Sequence, residues 1–464
     1  MKLIFNILLV MSFIPLAVKA QVNKNRPPNF IVIYSDDQRQ DALGASGNPA
    51  ILTPSLDRLA KEAIRFTNAN VVFALCSPSR AALLTGRYGS ANGVLGLGSA
   101  LAPGEKTIAS YLKEAGYQTG ISGKWHIKQD PKEVGFDFYS FFHGNGTYYN
   151  RLIHDMDKDV KPDQHCDEYA VDRSIDFLEN VAQEDKPFFL LHCTQLPHMN
   201  GELKWDAKAE TLAKYNAAKM PVADNRLDDL SSKPDYLRTV RNLTQAKNYG
   251  YPDEKSIREH TKEYYAVITE MDDALARLLK AIDALDLREN TYIIFMSDNG
   301  WMLGDHGFTS KVLPYRPSTH VPLFILGPGL EPRTEEGMTL NIDIAPTLME
   351  LAGLQIPKVM HGKSVVPILK GKTKDVRDAF VYEGLGDYGG TKPNLTVISK
   401  QYRYIETYED ESLQKIAFTE LYDQSRDPGE MANLVDQKKN LKKVREFRAL
   451  IKDHKNDILK NNAH

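Results

Sequence analysis

The stretch Asn29–Asp37, which reads N-F-I-V-I-Y-S-D-D, decides the fold of this chain. Its apolar run is continuous, which is typical of a strand buried on both faces, as in a parallel sheet. The pattern recurs at Tyr117–Ser122, Phe188–Cys193, Tyr292–Ser297 and Val321–Leu326. Helical patterns lie between these runs, most clearly at Ile257–Leu285. This alternation predicts a doubly wound α/β fold with a mostly parallel central sheet, which would bind ligands beyond the carboxyl ends of its strands.

The chain changes character after Lys372, where short strand-like segments are separated by turn residues. We therefore expect an α/β catalytic domain over residues 21–372 and a smaller α+β subdomain with an antiparallel sheet over residues 373–464. The lysine-rich C-terminal end predicts a helix with a polar face. The polar stretch Leu203–Asp253, with its prolines, predicts an inserted loop region with little helix.

Residues 1–20 predict a secretory signal peptide. Lys2 precedes the apolar run Leu3–Val18, and small residues precede a cut after Ala20. A transmembrane anchor is the alternative, but the run is short and Pro15 interrupts it. No other segment is apolar enough to cross a bilayer, so no span is expected after cleavage.

Composition excludes some partners. The 464 residues include 58 Lys and Arg against 61 Asp and Glu, and a formal net charge of −3 does not favour nucleic acid. An anionic substrate would need a local positive cluster. Cys166 and Cys193 lie in different predicted elements, and we expect two free thiols rather than a disulfide.

Two acidic motifs follow predicted strands. Asp36-Asp37 comes directly after the first strand, and Asp298-Asn299-Gly300 follows the strand Tyr292–Ser297. Taken singly, each motif is explained by a turn or a helix cap. Together, their carboxylate and amide oxygens are hard ligands that suit Ca²⁺ or Mg²⁺ better than zinc.

Basic motifs follow other predicted strands. Lys124 and His126 come after Tyr117–Ser122, His198 comes after Phe188–Cys193, and Lys311 lies beyond Asp298. A single His is more often structural, and a single Lys is usually solvated. Their arrival from separate strand ends favours a shared site.

The segment Leu75–Arg87 contains a cysteine in an unusual setting. Pro78 restricts the backbone, Arg80 supplies a permanent positive charge, and Gly86 would end a short buried helix. This setting is compatible with an activated nucleophile or with a simple buried cysteine.

The run C-S-P-S-R-A-A-L-L-T-G-R at Cys76–Arg87 resembles the signature of the type I sulfatases of the alkaline phosphatase superfamily. The resemblance extends from Asn29 through Ser297–Gly300 to the closing motif Tyr422–Glu430. It implies an alkaline-phosphatase-like sandwich and hydrolysis of sulfate esters. In this family the cysteine is oxidised to formylglycine, so that Cys76 would act as an aldehyde hydrate.

The resemblance also implies a metal site. It would hold one divalent cation, Ca²⁺ with Mg²⁺ as the alternative, and its ligands would be Asp36, Asp37, Asp298, Asn299 and an oxygen of the modified Cys76.

Roles follow for the basic residues as well. Arg80 and Lys124 would position the formylglycine hydrate, and Lys124, His198 and Lys311 would contact the sulfate. His198 would act as the general acid, with Lys311 sharing proton delivery, and His126 would act as the base that lets sulfate leave.

The sequence departs from the family beyond Lys311. Arg316 and His320 stand where many relatives carry Glu and Arg, which predicts either rearranged salt bridges or contact with a second anionic group of the substrate. A sugar subsite is a further prediction, and core packing is the alternative explanation for its aromatic residues. Its candidate residues are Arg39, His143, Asn145, Tyr148, Tyr149, Trp205 and Trp301.

We therefore expect an exported sulfatase, periplasmic in a Gram-negative bacterium, that resembles bacterial polysaccharide sulfatases and acts on sulfated oligosaccharides. A formylglycine-generating enzyme or an anaerobic sulfatase-maturating enzyme would modify it. The alternatives are a phosphonate or phosphate monoester hydrolase and a non-catalytic glycan-binding protein. Glycosylation motifs at Asn145, Asn242 and Asn394 would matter only in a eukaryotic secretory route.

Overall fold

The structure is a computed structural model and describes residues 26–461. The predicted signal peptide, residues 1–20, lies outside the described residues. Within residues 26–461, no helix combines the length and the apolar character needed to cross a membrane.

Among the described residues, eighteen strands form one large sheet and three small ones. The strands are β1 Asn29–Ser35, β2 Ile64–Phe66, β3 Ala69–Asn70, β4 Gln118–Lys124, β5 Phe138–Phe142, β6 Ile153–Asp155, β7 Lys158–Val160, β8 Phe188–Cys193, β9 Thr291–Ser297, β10 Met302–Leu303, β11 Thr309–Ser310, β12 Leu323–Leu326, β13 Arg333–Glu335, β14 Thr339–Leu340, β15 Ala379–Gly384, β16 Asn394–Ser399, β17 Tyr402–Tyr408 and β18 Ile416–Asp423.

Residues 26–461 form twelve α-helices, and several of them cover the two faces of the large sheet. The twelve helices are α1 Pro54–Glu62, α2 Cys76–Thr85, α3 Gly89–Asn92, α4 Ile108–Glu114, α5 Cys166–Val181, α6 Ala209–Leu212, α7 Arg241–Asn248, α8 Glu254–Ala284, α9 Arg316–Thr319, α10 Ile344–Leu351, α11 Val366–Leu369 and α12 Leu441–Asn461.

The large sheet has ten strands in the order β13-β2-β12-β9-β1-β8-β4-β5-β6-β7. Its centre is parallel, with β1 between β8 and β9 and with β4 between β8 and β5. The prediction of a mostly parallel α/β sheet is confirmed. The run Val321–Leu326, however, contains an antiparallel strand, β12, beside β9. After β9 the chain stays at the carboxyl edge of the sheet, so that it re-enters from that edge in the opposite direction.

Strand β1 is buried on both faces, as its sequence predicts. Phe30, Val32 and Tyr34 pack into the core under α2, α4 and α10, while Ile31 and Ile33 pack under α1, α5 and α8. Two hydrophobic layers therefore fix the sheet between the helices and hold its strand ends in place.

A four-stranded antiparallel sheet, β15-β16-β17-β18, lies near the C-terminus. Helix α12 packs on it through Val444, Phe447 and Ile451. Arg403 of this sheet is buried, and its Nε lies 2.5 Å from Glu430 Oε1. It also donates a 2.7 Å hydrogen bond to the carbonyl of Pro314, which lies in the part of the chain that forms the large sheet. The predicted antiparallel subdomain sheet is confirmed; the boundary at residue 372 stays a prediction.

The insertion at 203–253 contains α6, α7 and short 3-10 turns. It packs against the large region through Trp205 and Met220, which are buried with α8. All three cysteines are free and buried, as expected for Cys166 and Cys193.

Candidate active site

The predicted acidic residues lie together at the carboxyl edge of the large sheet. Asp36 and Asp37 follow β1, and Asp298 and Asn299 follow β9, its parallel neighbour. The Asp37 amide donates to Asp298 Oδ1 at 3.1 Å, and the Gln38 amide donates to Ser297 Oγ at 2.9 Å. The two acidic motifs are thus one cluster, as the sequence predicts.

Cys76 begins α2, which points its N-terminus at this cluster. The Sγ atom lies 3.4 Å from Asp36 Oδ1 and 2.8 Å from Lys311 Nζ, and Lys124 Nζ lies 3.9 Å away. Only 2 % of the residue is exposed. Burial raises the pKa of the thiol to about 12, with a further contribution from Asp36, so that an unmodified Cys76 is a neutral thiol and a weak nucleophile.

Helix α2 is fixed at both ends. Ser79 in its first turn shares a 3.0 Å hydrogen bond with the Tyr34 hydroxyl of β1, and its Oγ accepts a 2.9 Å hydrogen bond from the Asn341 amide. Gly86 ends the helix with a φ of 67°, a left-handed conformation that glycine adopts without strain. These contacts hold Cys76 at a set depth.

Oxygen atoms of the acidic cluster suit a hard cation. One carboxylate oxygen from each of Asp36, Asp37 and Asp298 lies within 4.8 Å of the others. Asp37 Oδ2 and Asn299 Oδ1 are buried without a hydrogen-bond partner among the described residues. Buried oxygens without donors are costly unless a cation satisfies them, and an all-oxygen set fits Ca²⁺ or Mg²⁺.

The pKa values of the three carboxyl groups are shifted in different directions. Burial raises the pKa of Asp37 to about 7 and that of Asp298 to about 6. Burial also disfavours ionisation of Asp36, yet Lys124 and the other nearby cations hold its pKa well below its ordinary value. Crowded anions in a dry site repel one another, and a divalent cation would relieve that repulsion.

Three cations surround the cluster. Arg80 donates from Nε to Asp298 Oδ2 at 3.0 Å and from a terminal nitrogen to the Lys124 carbonyl at 2.7 Å. Lys124 Nζ pairs with Asp36, and Lys311 Nζ pairs with Asp37. The three formal positive charges balance the three carboxylates, so that a bound divalent cation would leave the site with a net positive charge. Such a site attracts an anionic ester.

Two predicted histidines, His198 and His126, lie close to the acidic cluster and its lysines. His198 lies with its Nε2 3.5 Å from Asp37 Oδ2, while its Nδ1 is 2.7 Å from the Met199 carbonyl. The carbonyl can only accept, so Nδ1 carries the proton and Nε2 faces the cluster. Burial, then Lys124, lowers the pKa of His198 well below its ordinary value.

His126 lies two residues past Lys124 at a φ of 63°, a sparsely populated conformation for a non-glycine residue. Its Nδ1 is buried without a partner among the described residues. Burial, then Lys124, lowers the pKa of His126 to about 2. The ring is therefore neutral at neutral pH.

The predicted sugar-binding residues divide into three groups. Asn145 is exposed and accepts a 3.1 Å hydrogen bond from Lys124 Nζ, and the Trp301 ring lies 5.9 Å from Lys311 Nζ. Trp205 and Tyr148 are buried behind His198, where they donate to the carbonyls of Pro197 and His198, both at 2.7 Å.

Three other candidates lie apart from the cluster. Tyr149 packs edge-on against His165, and His143 packs on Phe141. Arg39 is held by Asp41, Asp305 and the Trp301 carbonyl. None of these contacts involves Lys124, Lys311 or the acidic cluster.

Arg316 and His320 line a separate cavity of about 660 Å³. It lies between Arg39, the 223–225 segment and the Asp427–Met431 segment. His320 is buried and its Nε2 lies 2.9 Å from the Thr67 carbonyl. Burial lowers the pKa of His320 to about 3, so that it is a neutral member of this cavity.

Several buried positions carry no signal of their role in the sequence. Tyr264 of α8 donates a 2.7 Å hydrogen bond to the Asp37 carbonyl. Asn242 and Asn394, which match glycosylation motifs, are buried. No local pattern marks a buried tyrosine or asparagine as a partner of a distant carbonyl, because that pairing depends on the tertiary fold.

A buried cysteine between paired cations and an acidic cluster, at the carboxyl edge of a doubly wound sheet, fits a hydrolase of anionic esters of the alkaline phosphatase superfamily. The family model described as Sulfatase matches residues 28–354, and that of the N-sulphoglucosamine sulphohydrolase C-terminal region matches residues 304–457. The chain belongs to the sulfatase family and is a sulfuric ester hydrolase.

Several characterised proteins are similar over most of their length. An N-acetylglucosamine-6-O-sulfatase of Bacteroides thetaiotaomicron is 28% identical and covers 93% of this chain and 87% of its own. An ulvan-active sulfatase of Formosa agariphila is 31% identical and covers 92% and 82%. A solved structure in complex with D-glucosamine-2-N,6-O-disulfate has a TM-score of 0.85 and 26% identity, and covers 94% of this chain and 99% of that one. A phosphonate monoester hydrolase from Silicibacter pomeroyi, 21% identical with a TM-score of 0.75 and covering 92% and 95%, shares the fold.

Proposed function

We propose that this chain removes sulfate from a sulfated carbohydrate and that its nucleophile is a formylglycine made from Cys76. The observation that carries the proposal is the position of Cys76, whose Sγ lies 2.8 Å from Lys311 Nζ and 3.4 Å from Asp36 Oδ1. An oxygen at the same Cβ would face both the cationic groups and the acidic cluster. A nucleophile so placed is aimed before the substrate arrives.

Asp36, Asp37, Asp298 and Asn299 would hold the divalent cation, together with an oxygen of the modified Cys76. The cation we propose is Ca²⁺, with Mg²⁺ as the alternative, because the protein ligands are all hard oxygens. When bound, it would lower the pKa of a hydroxyl of the aldehyde hydrate and neutralise charge on the sulfate.

Arg80 holds Asp298 and the Lys124 carbonyl, and so fixes the frame around the nucleophile. Lys124 and Lys311 would contact the sulfate oxygens, on which negative charge is concentrated in the transition state. Both are buried, so their charges act in a medium that screens them little.

His198 would deliver a proton to the leaving alcohol oxygen as the bond from sulfur to that oxygen breaks. Its Nε2 faces the cluster, and an anionic sulfate bound there would raise the pKa of this ring, so that it takes up the proton it then donates. Lys311 would share this role.

His126 would act in the second half of the reaction. After transfer, the sulfate is attached to one oxygen of the former aldehyde hydrate. His126 would remove the proton from the remaining hydroxyl, the carbonyl would re-form, and sulfate would leave with its bridging oxygen. Its buried Nδ1, which has no hydrogen-bond partner among the described residues, supports this role.

The substrate we propose is a sulfated oligosaccharide, because similar proteins are named as sulfatases of N-acetylglucosamine and ulvan. Asn145 and Trp301 would lie nearest to its sugar ring. Arg316 and His320 would meet a second anionic group in the cavity that they line.

Maturation and location follow as proposals. A formylglycine-generating or anaerobic sulfatase-maturating enzyme would modify Cys76, and the signal peptide at 1–20 would direct export to the periplasm. We retain 21–372 and 373–464 as the two functional regions.

Hydrolysis of phosphate or phosphonate monoesters is the alternative activity, supported only by a likeness of fold. The wild-type chain should release sulfate from an aryl sulfate far faster than phosphate from the matching aryl phosphate. Cys76→Ala should show neither activity, and mass spectrometry should find formylglycine at residue 76 in active preparations. Full activity in Cys76→Ala would refute the mechanism, and tight polysaccharide binding without turnover would indicate a glycan-binding protein.

A further inference from the structure

The backbone around Lys311 is in an unusual conformation. Ser310 has a φ of 72° and Val312 a φ of 80°. A left-handed φ is unfavourable for any residue with a side chain, and most of all for a β-branched valine. Such a conformation persists only where surrounding contacts impose it.

The side-chain amide of Asn242, in the insertion at 203–253, stabilises this backbone conformation. Asn242 of α7 donates from Nδ2 to the Thr309 carbonyl and to the Lys311 carbonyl, both at 2.8 Å. These carbonyls lie on either side of Ser310, so that one buried amide group fixes the turn before and at Lys311.

The hydroxyl of Tyr382, in the C-terminal antiparallel sheet, stabilises the same backbone conformation. Tyr382 of β15 donates a 2.6 Å hydrogen bond to the Val312 carbonyl and accepts one of 3.3 Å from the Ala74 amide. Ala74 lies two residues before Cys76. The same buried hydroxyl therefore joins the loop of Lys311 to the segment that leads into the nucleophile.

We propose that Asn242 and Tyr382 are positioning residues that hold the Lys311 ammonium over residue 76. The inference rests on the proposed function, in which Lys311 contacts the sulfate. A lysine side chain is flexible, so its Nζ stays in place only if its backbone is fixed relative to its target. Tyr382 fixes Val312 relative to Ala74, and Asn242 fixes the turn itself.

The chain offers a matched control for Tyr382. Tyr404 of β17 is equally buried in the same sheet, and its hydroxyl donates a 2.9 Å hydrogen bond to Glu406 Oε1, which does not reach the site. Tyr382→Phe and Tyr404→Phe each remove one hydroxyl and leave the ring, so that a general loss of packing or stability affects both alike.

The experiment measures kcat for sulfate release per formylglycine-bearing molecule, the inhibition constant of inorganic sulfate and the melting temperature. Tyr382→Phe should lower kcat about tenfold and weaken inhibition by sulfate several-fold, which is the effect expected when a catalytic group is misplaced by a fraction of an ångström. Tyr404→Phe should change only the melting temperature. Asn242→Ser, which keeps one donor, should show a loss of the same kind as Tyr382→Phe.

A double-mutant cycle separates the outcomes. In a Lys311→Ala background, Tyr382→Phe should add almost no further loss, because the group that it positions is gone. If Tyr382→Phe behaves like Tyr404→Phe, or if its loss is fully additive with that of Lys311→Ala, the positioning role is refuted. If Lys311→Ala itself retains wild-type kcat and sulfate inhibition, it is the proposed function of Lys311 that fails.

Discussion

Replacing Arg80 by methionine is the sharpest test of how the site is built. The guanidinium is 3 % exposed and makes two 3.0 Å contacts with Asp298 Oδ2. It also satisfies the Lys124 carbonyl. Methionine keeps much of the length and apolar stem of arginine and removes the charge and the donors.

The magnitude follows from those contacts. Removing one partner of a buried ion pair costs about 3 to 5 kcal/mol, because the other charge stays buried without compensation. The unsatisfied carbonyl adds about 1 kcal/mol or more. Because Lys124 and Asp298 both lose their anchor, we expect kcat to fall about a hundredfold or more.

A second buried pair provides the control. Arg377 is 6 % exposed and pairs with Asp343 through two nitrogens. Arg377→Met should cost a similar free energy of unfolding, measured by urea denaturation, while kcat per formylglycine-bearing molecule stays near wild type. Mass spectrometry of residue 76 keeps failed modification apart from failed catalysis. A kcat in Arg80→Met that matches that of Arg377→Met would refute our account of Arg80.

Three further predictions concern the metal, pH and backbone. Chelation of divalent cations should abolish sulfate release and lower the melting temperature. The free energy of unfolding should fall by about 2.7 kcal/mol if the cation was present at 100 times its Kd. Ca²⁺ should restore activity and stability, and unchanged activity after complete chelation would contradict the proposed metal site. Burial lowers the pKa of His192 from 6.5 to about 4, so the stability that the neutral ring contributes is present above pH 6.5 and is lost as the pH falls toward 4. Going from pH 7 to pH 5 should lower the free energy of unfolding by about 2 kcal/mol in the wild type, as measured by urea midpoints. The His192→Gln variant should not show this loss. In Gly123→Ala, at a φ of 98°, the new Cβ would lie 1.8 Å from the Cys193 carbonyl oxygen, whereas a Cβ at Gly116, at a φ of 88°, would meet open space. Gly123→Ala should lower the free energy of unfolding by about 3 kcal/mol or more, and Gly116→Ala by about 1 kcal/mol. Equal losses would show that the close contact is unimportant.

The sequence predicts the fold well wherever burial alone decides an element. Strand β8 has the predicted bounds Phe188–Cys193, since both of its faces are covered and its ends are marked by polar residues. The direction of β12 could not be predicted, because an apolar run reads the same in either direction and only the path of the chain after β9 sets it. Local patterns therefore identify strands but not their orientation.

The site shows the same division. Asp36, Asp298 and His198 follow strands and Lys124 is the last residue of β4, so their meeting at one edge is a consequence of the parallel sheet. Trp205 and Tyr148 were candidates for sugar contact, yet both are buried behind His198. Their residue types suit either role, and only the three-dimensional fold decides between them.

The contacts of Tyr382 and Arg403 also set an order of events in biosynthesis. Tyr382 joins the backbone of Val312 to that of Ala74, while Arg403 holds the Pro314 carbonyl and pairs with Glu430. Residues translated late in synthesis therefore complete a centre whose Cys76 is translated early. We expect a chain that ends before Glu430 to contain every side chain of the proposed site and still lack the contacts that align them.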